Sequence, residues 1–306
     1  MASIREVAKL AHVAPSTVSR ALNGSGYVSE KSKNKIKKAV EELDYIPNQW
    51  IRNLYKKRTG IIGVMTPDII HPYFSTLWNY LEAELDQYGY NVVICNTRGN
   101  QDKEREYLDT LERNLFDGLI VGSAFLSDEY YMNIEKPIIS LDRIIPGIPL
   151  VTSDHHQGGI LAGELFLEKG CKKVMCFSDP TRMELASADS ARALIDVMEK
   201  HNREVIIELC MKRTRTLLDQ YPDVDGIMAL DLCAAAFLKT EKNKKILAYD
   251  GTYATDFNYH SIDSIVQDAK KVAKESVNML IKLINDQPLK KREVLVPVKY
   301  KKGDTL

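Results

Sequence analysis

From Ile61 onward the chain repeats one texture, a short wholly apolar run followed by a stretch with helical spacing. The runs are IIGVM (61–65), NVVIC (91–95), GLIVG (118–122), PIISL (137–141), KVMCF (173–177), GIMAL (226–230) and KILAY (245–249). Gly, Pro or charge bounds each, and 3.6-residue periodicity fills several gaps, at 73–88, 103–114 and 158–169. Runs too short for a helix and too apolar for a one-faced strand suit strands buried on both faces. Parallel sheets covered by helices on each side meet that demand. Residues 60–306 are generous for one such sheet, so the spacing predicts two α/β subdomains. No internal repeat or low-complexity tract appears in the sequence.

The first 46 residues have a different texture and read as three short helices. SIREVAKLA has Ser3 as N-cap, Glu6 three residues on, and Ile4, Val7, Ala8 and Leu10 at helical spacing. A second helix is expected over 16–22, with Val18, Ala21 and Leu22 facing inward, ended by the turn cluster NGSG. A third is expected over 29–43, with Ile36, Val40 and Leu43 inward. Pro47 breaks the pattern, and 48–58 is a basic, weakly amphipathic linker. The expected organisation is therefore 1–46, a linker at 47–59, and a body at 60–306.

Net charge is zero, but its distribution is not even. Residues 1–58 hold 12 Lys and Arg against 5 Asp and Glu; residues 59–306 hold 30 against 37. A basic head on a mildly acidic body is what a chain needs if the head alone meets a polyanion. Two short helices joined by a tight turn and followed by a third form a helix-turn-helix, whose second helix enters the major groove. Pro15, Ser16, Thr17, Ser19 and Arg20 then lie nearest the DNA. Ser and Thr hydroxyls bond a base edge or a phosphate, and Arg suits guanine or phosphate.

The stretch from Ile4 to Leu54, with TVSRALN at 17–23 its most specific part, resembles the head of the LacI/GalR family of bacterial repressors. IIGVMTPDIIHPYF, GYNVVICNT, DGLIVGS, PIISLDR, DHHQGG and YDGT resemble the family's body, in family order. HPYFSTLWNYLEAELDQYGYNVVICNT, DRIIPGIPLVTSD and AYDGT look most like sucrose operon repressors of Gram-positive bacteria. The resemblance implies an all-α helix-turn-helix domain plus an α/β periplasmic-binding-protein-like body of two parallel-sheet subdomains. It implies that Pro15 and Ser16, opening the recognition helix, set operator choice. Ser3, Asn23 and Tyr27 complete the DNA-contacting set in the head. In the linker it implies a hinge helix using Asn48, Arg52 and Leu54, the leucine wedging into the minor groove. Where the family often has Ala before that Arg, this chain has Ile51.

Ligands of open parallel sheets sit at the carboxyl ends of strands. Asp68 and His71 follow the first apolar run, with Tyr73 and Phe74 next. Asp142 and Arg143 follow PIISL, Asp231 follows GIMAL and Asp250 follows KILAY. Carboxylates, an Arg and a stacking aromatic suit a polyhydroxylated ligand. Tyr73 and Phe74 fit helix packing as well, and Asp at strand ends also caps turns. The resemblance adds Arg192 as a grip on effector hydroxyls, although Ile195-Asp196 stands where the family has a Gly-aromatic pair. Leu230-Asp231 replaces the family's Asn-Asp. The segment after Phe237 is shorter than usual.

No phosphate-binding glycine loop, H-E-x-x-H or G-x-S-x-G occurs, so the reading excludes the common α/β enzyme classes and needs no cofactor. The tandem His155-His156 diverges in direction and has no third ligand nearby, so no metal is expected. Cys95, Cys171, Cys176, Cys210 and Cys233 form no C-x-x-C pair and read as buried thiols. No apolar run spans a bilayer, and the start lacks a signal-peptide core, which predicts a cytoplasmic protein without a membrane partner. The expected partners are double-stranded operator DNA, a sugar or sugar phosphate, and a second copy of the chain on a pseudo-palindromic operator. Inducer and corepressor remain open. So do control by a phosphocarrier protein and a plain sugar-binding protein.

Overall fold

The computed structural model describes residues 2–23, 26–45, 58–122, 125–209, 218–241, 243–256 and 261–306. Two compact units divide it, Met1–Thr59 and Gly60–Leu306. Asn48, Arg52 and Leu54 lie outside the described residues, as do Cys210 and the side chain of Asn23.

In the first unit α1 is Ile4–Ala11, α2 Pro15–Asn23 and α3 Glu30–Glu42. The Ser3–Glu6 capping box forms: Ser3 Oγ accepts from the Glu6 amide, and the Glu6 carboxylate accepts from the Ser3 amide at 2.6 Å. Helix α2 starts one residue earlier than the apolar pattern suggests. Proline fits a first helical position, where its missing N–H has no partner to lose. Ser29 lies just outside α3 as its N-cap, accepting from the Ser32 amide at 3.3 Å. Val7, Ala8, Ala11, Val18, Val28, Ile36, Ala39 and Tyr45 close the core, with Ala21, Leu22, Val40 and Leu43 packed around it.

The second unit pairs two six-stranded sheets. In the first half run β1 (Ile61–Thr66), α4 (Pro72–Asp86), β2 (Asn91–Asn96), α5 (Gln101–Glu112), β3 (Gly118–Val121), α6 (Asp128–Met132), β4 (Ile138–Ser140) and β5 (Leu150–Ser153). The second half follows with α7 (His155–Glu168), β6 (Lys173–Cys176), α8 (Asp189–Lys200), β7 (Glu204–Ile207), β8 (Gly226–Leu230), α9 (Asp231–Phe237), β9 (Lys245–Asp250) and β10 (Ser264–Val266). Then come α10 (Ala269–Ile284), β11 (Glu293–Val296) and β12 (Lys299–Lys301). Strand order is β11-β5-β4-β3-β1-β2 in one sheet and β12-β10-β9-β8-β6-β7 in the other. The two halves thus repeat one topology, although no repeat is visible in the residues. All pairings are parallel except β12 against β10. The seven apolar runs are β1, β2, β3, β4, β6, β8 and β9. Strands β5, β7, β10, β11 and β12 lie outside those seven runs.

The chain passes between the sheets three times, at Asp154, at Gln267–Asp268 and at Pro297–Val298. Helix α10 follows β10 of the second sheet but packs on α4 and beneath the first sheet, through Val272, Ala273, Val277 and Leu280. Three crossings this short join the subdomains as a flexing strap would. Helix α7 approaches α8 closely, which is why DHHQGG carries its glycines: a Cβ on Gly159 would stand 2.1 Å from the Ser190 carbonyl oxygen. No helix among the described residues is long and apolar enough to cross a membrane.

Candidate functional site

On α2 the packing divides the sequence-predicted set by face. Val18 is wholly buried, which turns Ser16 and Arg20 outward to solvent and leaves Thr17 and Ser19 at the boundary; Pro15, at the start of the helix, is exposed as well. Tyr27, 92% exposed, stands beyond the end of the helix. Ser3 is exposed, although its hydroxyl is engaged with Glu6. Outward hydroxyls, one free guanidinium and a rigid three-helix base give a surface that fits a nucleic-acid groove.

In the second unit a groove of about 740 Å³ opens beside the crossings. Helix α4 supplies Tyr73, Asn79 and Tyr80; the loop after β9 supplies Asp250 and Thr252; the β10–α10 crossing supplies Gln267. Both subdomains therefore contribute walls. Asp250 ends β9 at φ 118°, an unusual backbone for a residue with a Cβ, costing roughly 1–3 kcal/mol. Gly251 follows at φ 64°, where a Cβ would stand 2.5 Å from Val266. Asp250 is 4% exposed; its Oδ1 accepts from Gln267 Nε2 at 2.7 Å, and its Oδ2 has no hydrogen-bond partner. His71, just before α4 in the other subdomain, points Nε2 at that oxygen from 3.9 Å, and its buried Nδ1 is also unpartnered. Burial, then the charge of Asp231, pushes the Asp250 carboxyl well above the usual carboxylate range, against the Gln267 bond. Burial pulls the His71 imidazole down, with Asp68 opposing. Burial and the nearby Asp250 charge push the Tyr73 phenol up. An unsatisfied Asp250 oxygen in the groove wall is a place where a hydroxyl group can donate.

The other candidates each have protein partners. Phe74 sets its ring edge-on to His71 and Tyr73, at 5.5 and 5.8 Å between centroids, and packs on the first core. Asp68 accepts from the Ile70 amide at 2.9 Å in a local turn. Asp142 spans the subdomains, accepting from the amide and hydroxyl of Ser187 at 2.8 and 3.0 Å. Arg143 is 8% exposed and donates to the Leu126 carbonyl at 2.7 Å and Asp128 at 2.6 Å. Arg192 donates to Asp189 at 3.1 Å and to the Pro180 carbonyl at 2.9 Å. Asp231 is 1% exposed, with both oxygens occupied by the turn after β9. Of the nine, Tyr73 and Asp250 line the groove, with His71 within reach of Asp250. Gln267 was missed because it bonds Asp250 from a crossing between the subdomains that no local pattern marks. His155 is buried against Tyr249, Nδ1 3.0 Å from its hydroxyl, while His156 faces Asp189. No group among the described residues could hold a metal ion.

Comparison with known proteins decides the family. The profile for bacterial regulatory proteins of the lacI family matches residues 3–48. The profile for periplasmic binding proteins and the sugar binding domain of the LacI family matches residues 59–229. The chain belongs to the LacI family. It is therefore a DNA-binding transcriptional regulator and not an enzyme. The sucrose operon repressor of Streptococcus mutans is 34% identical over all of both chains. The ribose operon repressor of Halalkalibacterium halodurans is 34% identical over 98% of this chain and 95% of its own. Among solved structures, the lac repressor dimer bound to operator and the anti-inducer ONPF superposes with TM-score 0.85 at 23% identity, covering 99% of this chain and 98% of that one. The LacI-family fold of a helical head and a two-subdomain body is the one described above.

Proposed function

We propose that the chain represses a carbohydrate-utilisation operon in the cytoplasm, binds a pseudo-palindromic operator as a homodimer, and is controlled by a sugar or sugar phosphate held in the groove at Asp250. The observation that carries this reading is the unpartnered Asp250 Oδ2 facing His71 across the subdomain boundary. A sugar hydroxyl donating to that oxygen and reaching His71 would tie one subdomain to the other. Relatives named for sucrose and ribose operons support a carbohydrate ligand. In the head, Pro15 and Ser16 choose the operator while Thr17, Ser19 and Arg20 position the helix, with Ser3, Asn23 and Tyr27 at its margins. The linker residues Asn48, Arg52 and Leu54 form the hinge that two copies fold over DNA. Asp142, Arg143 and Arg192 stay in the proposed ligand set, held in place by the protein bonds they make.

Thermal-shift screening of sucrose, ribose, fructose and their phosphates tests the groove, because a ligand of the folded state raises the melting temperature by mass action. One of them raises it in the native chain and fails to do so in Asp250→Asn. If no sugar raises it while the protein binds DNA, the sugar reading fails and control by a phosphocarrier protein replaces it.

A further inference from the structure

We infer that Asp231 is a positioning residue of the effector groove: through the Gly251–Thr252 turn it holds Asp250 with one carboxylate oxygen aimed at the ligand, and it does not itself touch the ligand. This rests on the groove at Asp250 being the effector site. Asp231 opens α9 directly after β8, the strand beside β9, so its carboxylate reaches the neighbouring strand end. Its Oδ1 accepts from the Gly251 amide at 3.0 Å. Its Oδ2 accepts from the Thr252 amide and hydroxyl, both at 2.6 Å. Thr252 in turn caps the next turn, its oxygen accepting from the Ala254 amide at 3.3 Å. From the other side Gln267 grips both Asp250 Oδ1 and, through its own amide, the Asp250 carbonyl at 3.0 Å.

Two successive residues at positive φ, the first with a side chain, persist only where surrounding bonds over-determine them. Asp231 and Gln267 provide those bonds from opposite sides. The same clamp keeps the Asp231 charge close enough to Asp250 to raise its carboxyl, while Lys301 acts on Asp231 in the opposite sense. Occupying both Asp231 oxygens while leaving Asp250 Oδ2 open divides the pair into a holder and a receiver. A receiver fixed in this way accepts a hydroxyl with little reorganisation. The effector class that follows is a polyol or sugar offering a hydroxyl donor to a fixed carboxylate oxygen.

Two measurements on the full-length chain test this. The first needs no ligand: a crystal structure of Asp231→Asn, whose one carbonyl oxygen can accept from Gly251 or from Thr252 but not from both. The expected result is a relaxed 250–252 turn, with residue 250 out of its positive-φ conformation and its free oxygen turned from the groove. An unchanged turn would overturn the assignment. The second titrates sucrose and D-ribose against the native chain, Thr252→Val and Thr252→Ser, alongside ligand-free operator binding. Thr252→Val should weaken the bound sugar about tenfold, far more than operator binding, and Thr252→Ser should restore it. Equal losses in sugar and operator binding would mark a fold defect and contradict a positioning role. If neither sugar binds the native chain, the groove reading loses those two ligands, while the crystal structure still decides the role of Asp231.

Discussion

At the scale of residues, Asp250 couples stability to function in opposing directions. Its carboxyl is buried beside Asp231 and held well above the usual range, so its charged form destabilises the fold near neutral pH. Asp250→Asn should therefore raise the melting temperature while weakening the effector roughly ten- to hundredfold, read by calorimetry of both. The histidines supply the opposite pH slope. Burial holds His71 and His155 below their ordinary 6.5 in the folded chain. As pH falls through 6.5 the unfolded chain takes up protons first, so the stability from neutral imidazoles is present above 6.5 and lost below it. Asp250 has the opposite sign: binding its proton more readily when folded, it gains stability as pH falls through its raised pKa. The difference between native chain and His155→Gln, in melts from about pH 7.5 to about pH 5.5, isolates the histidine part: the variant loses less. On the DNA face, Arg20→Ala should cost ~1–3 kcal/mol of operator affinity, and Ser16→Ala should change which operator is preferred, both read by gel-shift titration. These head positions were legible in the sequence because helical periodicity alone decides which side chains face away from Val18. The partners of Arg143 and Arg192 were not, because Leu126, Asp128 and Pro180 approach them through the tertiary fold, which no local pattern encodes.

At the scale of elements, the readable signals are those carried by neighbours in sequence. The Ser3–Glu6 box and the Ser29 cap could be anticipated from residue type and spacing, and both form. Ser3→Ala should cost the head about 1 kcal/mol, seen as earlier loss of helical signal on heating. The double glycine of DHHQGG hid the start of α7, since glycine weakens any helix pattern; its purpose appears only when α8 lies against it. Gly159→Ala should lower the melting temperature, because the added methyl meets backbone oxygen at Ser190 and neither helix can yield without repacking. Strands β10, β11 and β12 escaped notice for a related reason. They gain their place by pairing with distant partners, β9, β5 and β10.

At the scale of the whole molecule, the charge asymmetry and the alternating texture together predict a small DNA-reading head and a larger two-part body. What neither could locate is the groove, because its walls come from both halves and from a crossing that returns late in the chain. Gln267 on that crossing bonds Asp250 in the second half, while the next helix, α10, packs on α4 in the first. A ligand at Asp250 therefore sits where movement of one subdomain against the other is felt. Coupling of ~1–3 kcal/mol between groove and operator is enough to switch occupancy. The measurement closest to this claim is fluorescence anisotropy of an operator duplex, selected with the native protein, titrated with and without the sugar that raises its melting temperature. The sugar is expected to shift operator affinity by roughly 5- to 150-fold in the native chain and to leave it unmoved in Asp250→Asn. Operator affinity indifferent to a sugar that demonstrably binds the native chain would contradict the coupling.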